Sequence, residues 1–192
     1  MRLLLALAVF LACAVPALAA DQSVNVGDDF FDPDSTSVDP GDTVTWNWIG
    51  SSDHTVTSRS KQIDKFDSGI KSGSGATFEH TFKYRGRFRY LCEVHPDTMR
   101  ASVTVGTDDG KAPRITRVRA RVSGSTAKLS FRLSERSYVT VRVKRRKKTK
   151  TFGAGRHSVR FRRLADDSYT ARFSAKDGFG HRGTRSKRFT VD

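Results

Sequence analysis

Thr43-Val44-Thr45-Trp46-Asn47-Trp48 alternates polar and apolar side chains, which puts Val44, Trp46 and Trp48 on one face of an extended strand. Phe78 to Phe82, Phe88 to Cys92 and Ala101 to Val105 repeat the habit, with Gly, Pro, Asp and Ser between them. No segment sustains an apolar period of about 3.6 residues, so the reading is all-β. The second half continues it. Val118, Ala120 and Val122 alternate with arginines, and Leu129 to Leu133 and Val139 to Val143 follow. Val159 with Phe161, Tyr169 to Phe173, and Phe189 with Val191 complete six short strands, the pattern of a small antiparallel sandwich.

Charge divides the chain at the same place. Residues 21–109 hold 9 Lys and Arg against 15 Asp and Glu, a net of −6. Residues 110–192 hold 25 against 5, a net of +20. Between them lies a small, polar, Pro-bounded stretch, which gives a first domain at 21–106, a linker at 107–113 and a basic domain at 114–192. At the start, Arg2, the apolar run Leu3 to Val15 and Ala17-Leu18-Ala19 read as a secretory signal over residues 1–20. The apolar run is shorter than the roughly 20 residues a membrane span needs. Lipidation at Cys13 is the rival reading, and Phe10-Leu11-Ala12 fits it poorly. The expected destination is periplasmic, cell-surface or extracellular.

Removal of the signal leaves Cys92 as the sole cysteine and Met99 as the sole methionine, with His95 between them. A lone thiol in an oxidising compartment is a liability unless something occupies it. Cys92-Glu93-Val94-His95 brings a thiolate and an imidazole onto one tight loop, and Met99 adds a thioether. His54, in the loop after the Trp46 strand, supplies a second imidazole. A thiolate, two imidazoles and a weak axial sulfur suit both oxidation states of copper, so little reorganisation accompanies electron transfer.

These segments resemble the plastocyanin-like cupredoxins. Val38-Asp39-Pro40-Gly41-Asp42-Thr43-Val44-Thr45-Trp46, the spaced His54, and Tyr90-Leu91-Cys92-Glu93-Val94-His95 … Met99 … Val103-Thr104-Val105 carry the resemblance. It implies a Greek-key β-sandwich with one type 1 copper per chain, held by His54, Cys92, His95 and Met99. It also implies that His95 is the electron portal, inside an apolar patch for which Pro96 and Ile49 are candidates. There are two departures. Three residues separate His95 from Met99, between the two and four of related loops, and Trp48 stands where relatives commonly carry Asn. If that amide steadies the ligand loops, the site is expected to be looser here, or Trp48 packs where the amide would sit.

The remaining polar groups read more plainly. His80 is structural or exposed, His157 and His181 lie on turns without partners, and Asp53, Glu93 and Asp97 flank the ligands as solvated acids. Lys144-Arg145-Arg146-Lys147-Lys148-Thr149-Lys150 is a solvated hairpin end or part of an attachment to a polyanion. The expected partners are a redox protein and, through the basic domain, an anionic cell-surface polymer or membrane surface. Nucleic acid is a poor partner for an exported chain, and the protein is expected to be monomeric. The expected function is one-electron transfer. Copper storage or delivery, and a surface-binding module with a structural copper, are the alternatives. A multicopper enzyme needs further histidine clusters, which five histidines without a His-x-His pair do not supply.

Overall fold

The computed structural model describes residues 21–192; the signal reading, with Cys13, falls outside them. The described strands are β1 (Gln22–Gly27), β2 (Phe30–Asp32), β3 (Ser35–Val38), β4 (Thr43–Trp48), β5 (Thr57–Ser58), β6 (Thr77–Thr81), β7 (Gly86–Leu91) and β8 (Arg100–Val105). A second group follows as β9 (Ile115–Ser123), β10 (Thr126–Leu133), β11 (Ser137–Val143), β12 (Arg146–Phe152), β13 (Gly155–Phe161), β14 (Asp167–Lys176) and β15 (Arg182–Val191). No helix occurs among the described residues.

The first group forms two sheets, β2-β1-β4-β6 and β3-β8-β7-β5. The alternation in β4 does what its pattern demands: Val44, Trp46 and Trp48 are buried between the sheets. Trp46 is ringed by Phe66, Phe78, Phe82 and Tyr90, with centroids 5.4 to 6.4 Å away. Two strand pairs are parallel, β1 with β4 and β3 with β8. The turn after β1 therefore emerges beside the loop after β4, which decides the surroundings of the metal-ligand candidates.

The second group packs β13-β10-β9 against β12-β11-β14-β15 around a separate core that includes Leu129, Phe131, Val141, Phe161 and Phe173. This strand order is that of immunoglobulin-like sandwiches, and Tyr169 at the start of β14 donates its hydroxyl to the Ala165 carbonyl at 2.9 Å, the tyrosine corner of such folds. Both sandwiches agree with the expected all-β class.

Two sequence readings need correction here. The second group has seven strands rather than six, because the basic run continues as a strand. Only Lys144-Arg145 forms the turn, and Arg146–Phe152 is edge strand β12. It escapes a pattern search because every residue before the terminal Phe152 is polar, as suits an edge that must not recruit another strand. His157 and His181 also have partners. His157 lies on β13, shares a 2.8 Å hydrogen bond with the Gly153 carbonyl and stacks 4.7 Å from Phe152. His181 Nδ1 lies 2.9 Å from Asp177, and its Nε2 is 3.6 Å from Asp108 in the stretch joining the two groups. Asp177 is the main cause of a raised His181 pKa.

The two sandwiches meet where β7 begins. Arg87 donates its backbone N–H to the Gly178 carbonyl at 3.0 Å, and the Arg136 guanidinium lies 3.9 Å from the Tyr84 ring centroid. A β-carbon on Gly178 would overlap the Arg85 carbonyl oxygen, so the close approach requires glycine.

Candidate metal centre

The site lies at the far end of β7 from this junction. Leu91 pairs with Arg100 across the β7–β8 hairpin, so Cys92 and Met99 form the next pair beyond it. Cys92 donates its backbone N–H to the Met99 carbonyl at 3.0 Å, and Met99 donates to the His95 carbonyl at 3.1 Å. These two bonds close a compact loop with room for Pro96-Asp97-Thr98 between His95 and Met99, and Arg100 fastens it to the Pro96 carbonyl at 2.7 Å. His54 is anchored from another part of the chain by reciprocal backbone bonds with Lys71, each 2.9 Å. Cys92, Met99 and His54 are buried, while the His95 side chain is 32 % exposed.

The donor atoms converge. One potential ligand atom from each of His54, Cys92 and His95 lies within 4.8 Å of the others. Cys92 Sγ is 3.7 Å from His54 Nδ1 and 3.8 Å from His95 Nδ1. For a first-row ion, a metal–sulfur bond of ~2.3 Å and a metal–nitrogen bond of ~2.0–2.1 Å meeting at about 120° set their donors about 3.8 Å apart. The residues therefore fit a trigonal Cys-His-His ion, and buried Met99 is tied to Cys92 and His95 by its backbone.

Thr55 ties the ligand loops together through two hydrogen bonds. Thr55 donates its backbone N–H to Cys92 Sγ at 3.4 Å, and its hydroxyl accepts the Glu93 N–H at 2.8 Å. One buried threonine thus joins the loop after His54 to the loop after Cys92, and Trp48 itself is buried.

Sequence reasoning missed the acids nearest the imidazoles. Asp53 and Glu93 are exposed, and Asp97 pairs with Arg100 at 3.2 Å. The turn after β1 instead brings Asp28 Oδ1 to 3.7 Å from His54 Nε2, and Asp29 Oδ1 to 3.3 Å from His95 Nδ1. His54 Nε2 is buried without a hydrogen-bond partner, and Asp28 is the carboxylate facing it. Hydrogen bonds from Ser52 are the main cause that holds Asp28 below the ordinary carboxylate value, and His54 adds a smaller share. No local signal marks these residues, because parallel β1–β4 pairing places them there. Of the other histidines, His80 sits 4.9 Å from Phe66 and 4.8 Å from Phe82, with Nε2 3.5 Å from Asp64, away from the site.

A buried thiolate and two imidazoles at trigonal spacing in a Greek-key sandwich define a cupredoxin-like domain with a type 1 copper-like site. Comparison with known proteins agrees: residues 19–106 match the family of copper binding proteins, plastocyanin/azurin family. Halocyanin of Natronomonas pharaonis is 41% identical over 66 residues, which are 34% of this chain and 40% of that protein, so the match spans less than half of the relative. Among solved structures, an oxidised amicyanin variant is similar at 23% identity and a TM-score of 0.41, over 44% of this chain and 81% of that one. A purple cupredoxin from Nitrosopumilus maritimus is similar at 27% identity and a TM-score of 0.40, over 45% of this chain and all of that one. The cofactor of the first domain is copper.

Proposed function

We propose that the protein is an exported one-electron carrier, with copper held by Cys92, His54, His95 and Met99. The observation that carries this reading is the pair of Nδ1 atoms at 3.7 and 3.8 Å from one buried thiol. When bound there, copper supplies a one-electron couple without bond making. The chain's own residues supply the rest. Cys92 would give the thiolate, whose charge the Thr55 N–H would temper, and buried Met99 would offer a weakly held thioether. Backbone bonds at Cys92, Met99 and His54 fix the donors before metal arrives, which keeps reorganisation small.

His95 is the only nitrogen ligand with an exposed edge, and it serves as the portal. Ile49 and Val94, 51% and 43% exposed, flank the ligands in sequence together with exposed Pro96. Phe30, 47% exposed, follows the Asp29 that faces His95, which supports an apolar rim wider than the two residues expected from sequence. A rim of this kind suits brief docking of a redox protein. The segment Arg2 to Ala19 supports export.

The test is visible absorption after addition of Cu(II), beside a Cys92→Ser control, followed by voltammetry. An intense thiolate-to-copper band lost in the control, with a reversible couple, is the expected result. A colourless protein that binds copper and passes Cu(I) to an acceptor would replace the carrier by a delivery protein.

A further inference from the structure

Apart from Tyr138, the outer face of the sheet β12-β11-β14-β15 is built from cations and hydroxyls. Register assigns its rows. Lys147 lies opposite Arg142, and Arg142 opposite Arg172, so three cations line up across three strands. The next row is Thr149, Thr140, Ser174 and Thr184. Beyond it, Lys176 lies opposite Arg182. Same-face residues along a strand are ~7 Å apart and strands ~4.8 Å apart. The two cationic rows therefore stand about 14 Å from each other, with hydroxyls between them. Together they bound a trough of 530 Å³, which Lys61 of the first domain also lines.

Three features set this face apart from an ordinary solvated surface. Like charges directly opposite each other weaken a sheet, so the Lys147-Arg142-Arg172 row works against stability in the free protein. No carboxylate lies within ion-pairing distance of Arg142, Lys147, Arg172 or Lys176 among the described residues. Other cations of the basic run are engaged locally: Lys144 pairs with Asp167, Arg146 donates to the Arg162 carbonyl at 2.6 Å, and Lys148 lies over Phe161. Of the cations in that run only Lys147 reaches the trough, so the dense run marks the site poorly. The first domain, acidic as a whole, brings Arg59, Arg87 and Arg89 with Lys61 to an adjoining hollow beside Lys176 and so prolongs the cationic path across the junction.

We infer that this trough binds a linear phosphodiester polymer bearing free hydroxyl groups. Phosphates meet the guanidinium and ammonium rows, and the polymer's hydroxyls meet the threonine and serine floor. A lipid surface fits less well, because the face offers no apolar side chain to insert. A nucleic acid fits less well too, because the only aromatic there, Tyr138, packs against the first-domain core rather than offering a stacking platform. That the polymer belongs to the cell envelope rests on the export reading; the binding itself does not rest on copper.

The experiment is calorimetric titration of the full mature chain with poly(glycerol phosphate), at low and at physiological salt. Arg142→Thr/Arg172→Thr removes two trough cations, and Arg119→Thr/Arg121→Thr removes two from exposed β9 at the same cost in net charge. The expected result is at least about a tenfold loss for the first pair and no more than about twofold for the second. The trough pair should melt no lower than wild type, because it relieves the like-charge row, the β9 pair should melt as wild type does, and both should keep the copper spectrum. Equal losses from the two pairs, equally tight binding of hyaluronate, single-stranded DNA or anionic vesicles, or no binding at low salt would each overturn the inference.

Discussion

Thr55→Val tests whether one hydroxyl holds the two ligand loops together. Thr55 is 2% exposed, and its Oγ1 accepts the Glu93 N–H at 2.8 Å and the Thr57 hydroxyl at 3.0 Å. Valine keeps the branched shape but offers no acceptor. The Thr57 hydroxyl retains Asp67 at 3.0 Å and loses little. The Glu93 N–H has no such second partner, and stranding a buried donor costs about 1–3 kcal/mol. Because Glu93 itself is exposed, the lower half of that range is expected: about 1–2 kcal/mol in the copper-free protein. Part of the same loss should appear in metal affinity, since the clasp spaces His54 from Cys92; 1.4 kcal/mol corresponds to about tenfold.

Denaturant unfolding of the copper-free chain gives the first number, provided the slope is unchanged. A copper competition titration gives the second. Thr55→Ser keeps the hydroxyl and should recover most of both. A Thr55→Val protein within about 0.5 kcal/mol of wild type and of unaltered copper affinity would refute the clasp, as surface-like behaviour.

Asp28→Asn keeps an acceptor for the Ser52 N–H at 3.0 Å but removes the charge 3.7 Å from His54 Nε2. Copper affinity should fall about tenfold, as for other groups that orient a metal-bound histidine. The potential should rise, because the lost anion favours the more highly charged ion; a potential unchanged or lowered would exclude Asp28 as a positioning residue. Tyr169→Phe should cost the second sandwich about 0.5–1.5 kcal/mol by chemical unfolding and leave the copper spectrum untouched. A concurrent change in the spectrum would mean that the two sandwiches are coupled at the site. His181 is held above the usual histidine value, chiefly by Asp177. Its stabilising share is present in full below about pH 6.5 and is lost as pH rises through the raised folded value. The melting-temperature gap between wild type and His181→Gln should therefore be widest near mildly acid pH and narrow above it, and a gap constant with pH would reject the ion pair as its source.

The parts legible in sequence are those written locally. The alternation of β4 buries Val44, Trp46 and Trp48, and Cys92 to Met99 is a contiguous loop whose donors cannot scatter. His54 was legible because a trigonal site needs a second imidazole. What stayed hidden depends on pairing between distant segments. Asp28 and Asp29 reach the histidines through the parallel register of Val26 with Trp48. Thr55 meets Glu93 across 38 positions. Strand β12 is invisible to periodicity because its residues before Phe152 are all polar and leave no apolar period to detect. The trough follows the same rule, since Arg142, Lys147 and Arg172 become neighbours only once three strands are aligned.

Strand β7 explains how a domain of −6 and a domain of +20 can share a chain without the second setting the chemistry of the first. It begins with Gly86 at the junction and ends with Leu91 beside the site. Five residue steps at ~3.4 Å make about 17 Å. That exceeds the screening length of about 8–10 Å at 0.1–0.15 M salt, so the basic sandwich contributes little to the field at the ligands. The charges that act there are local: Asp28 and Asp29, both on the turn after β1. Asp28 and Asp29 face the ligand histidines, while Arg59, Lys61, Arg87 and Arg89 gather on the side facing the trough. The proposed electron exchange and the proposed polymer binding therefore sit toward opposite ends of β7, with Arg89 the basic residue of that path nearest the ligands.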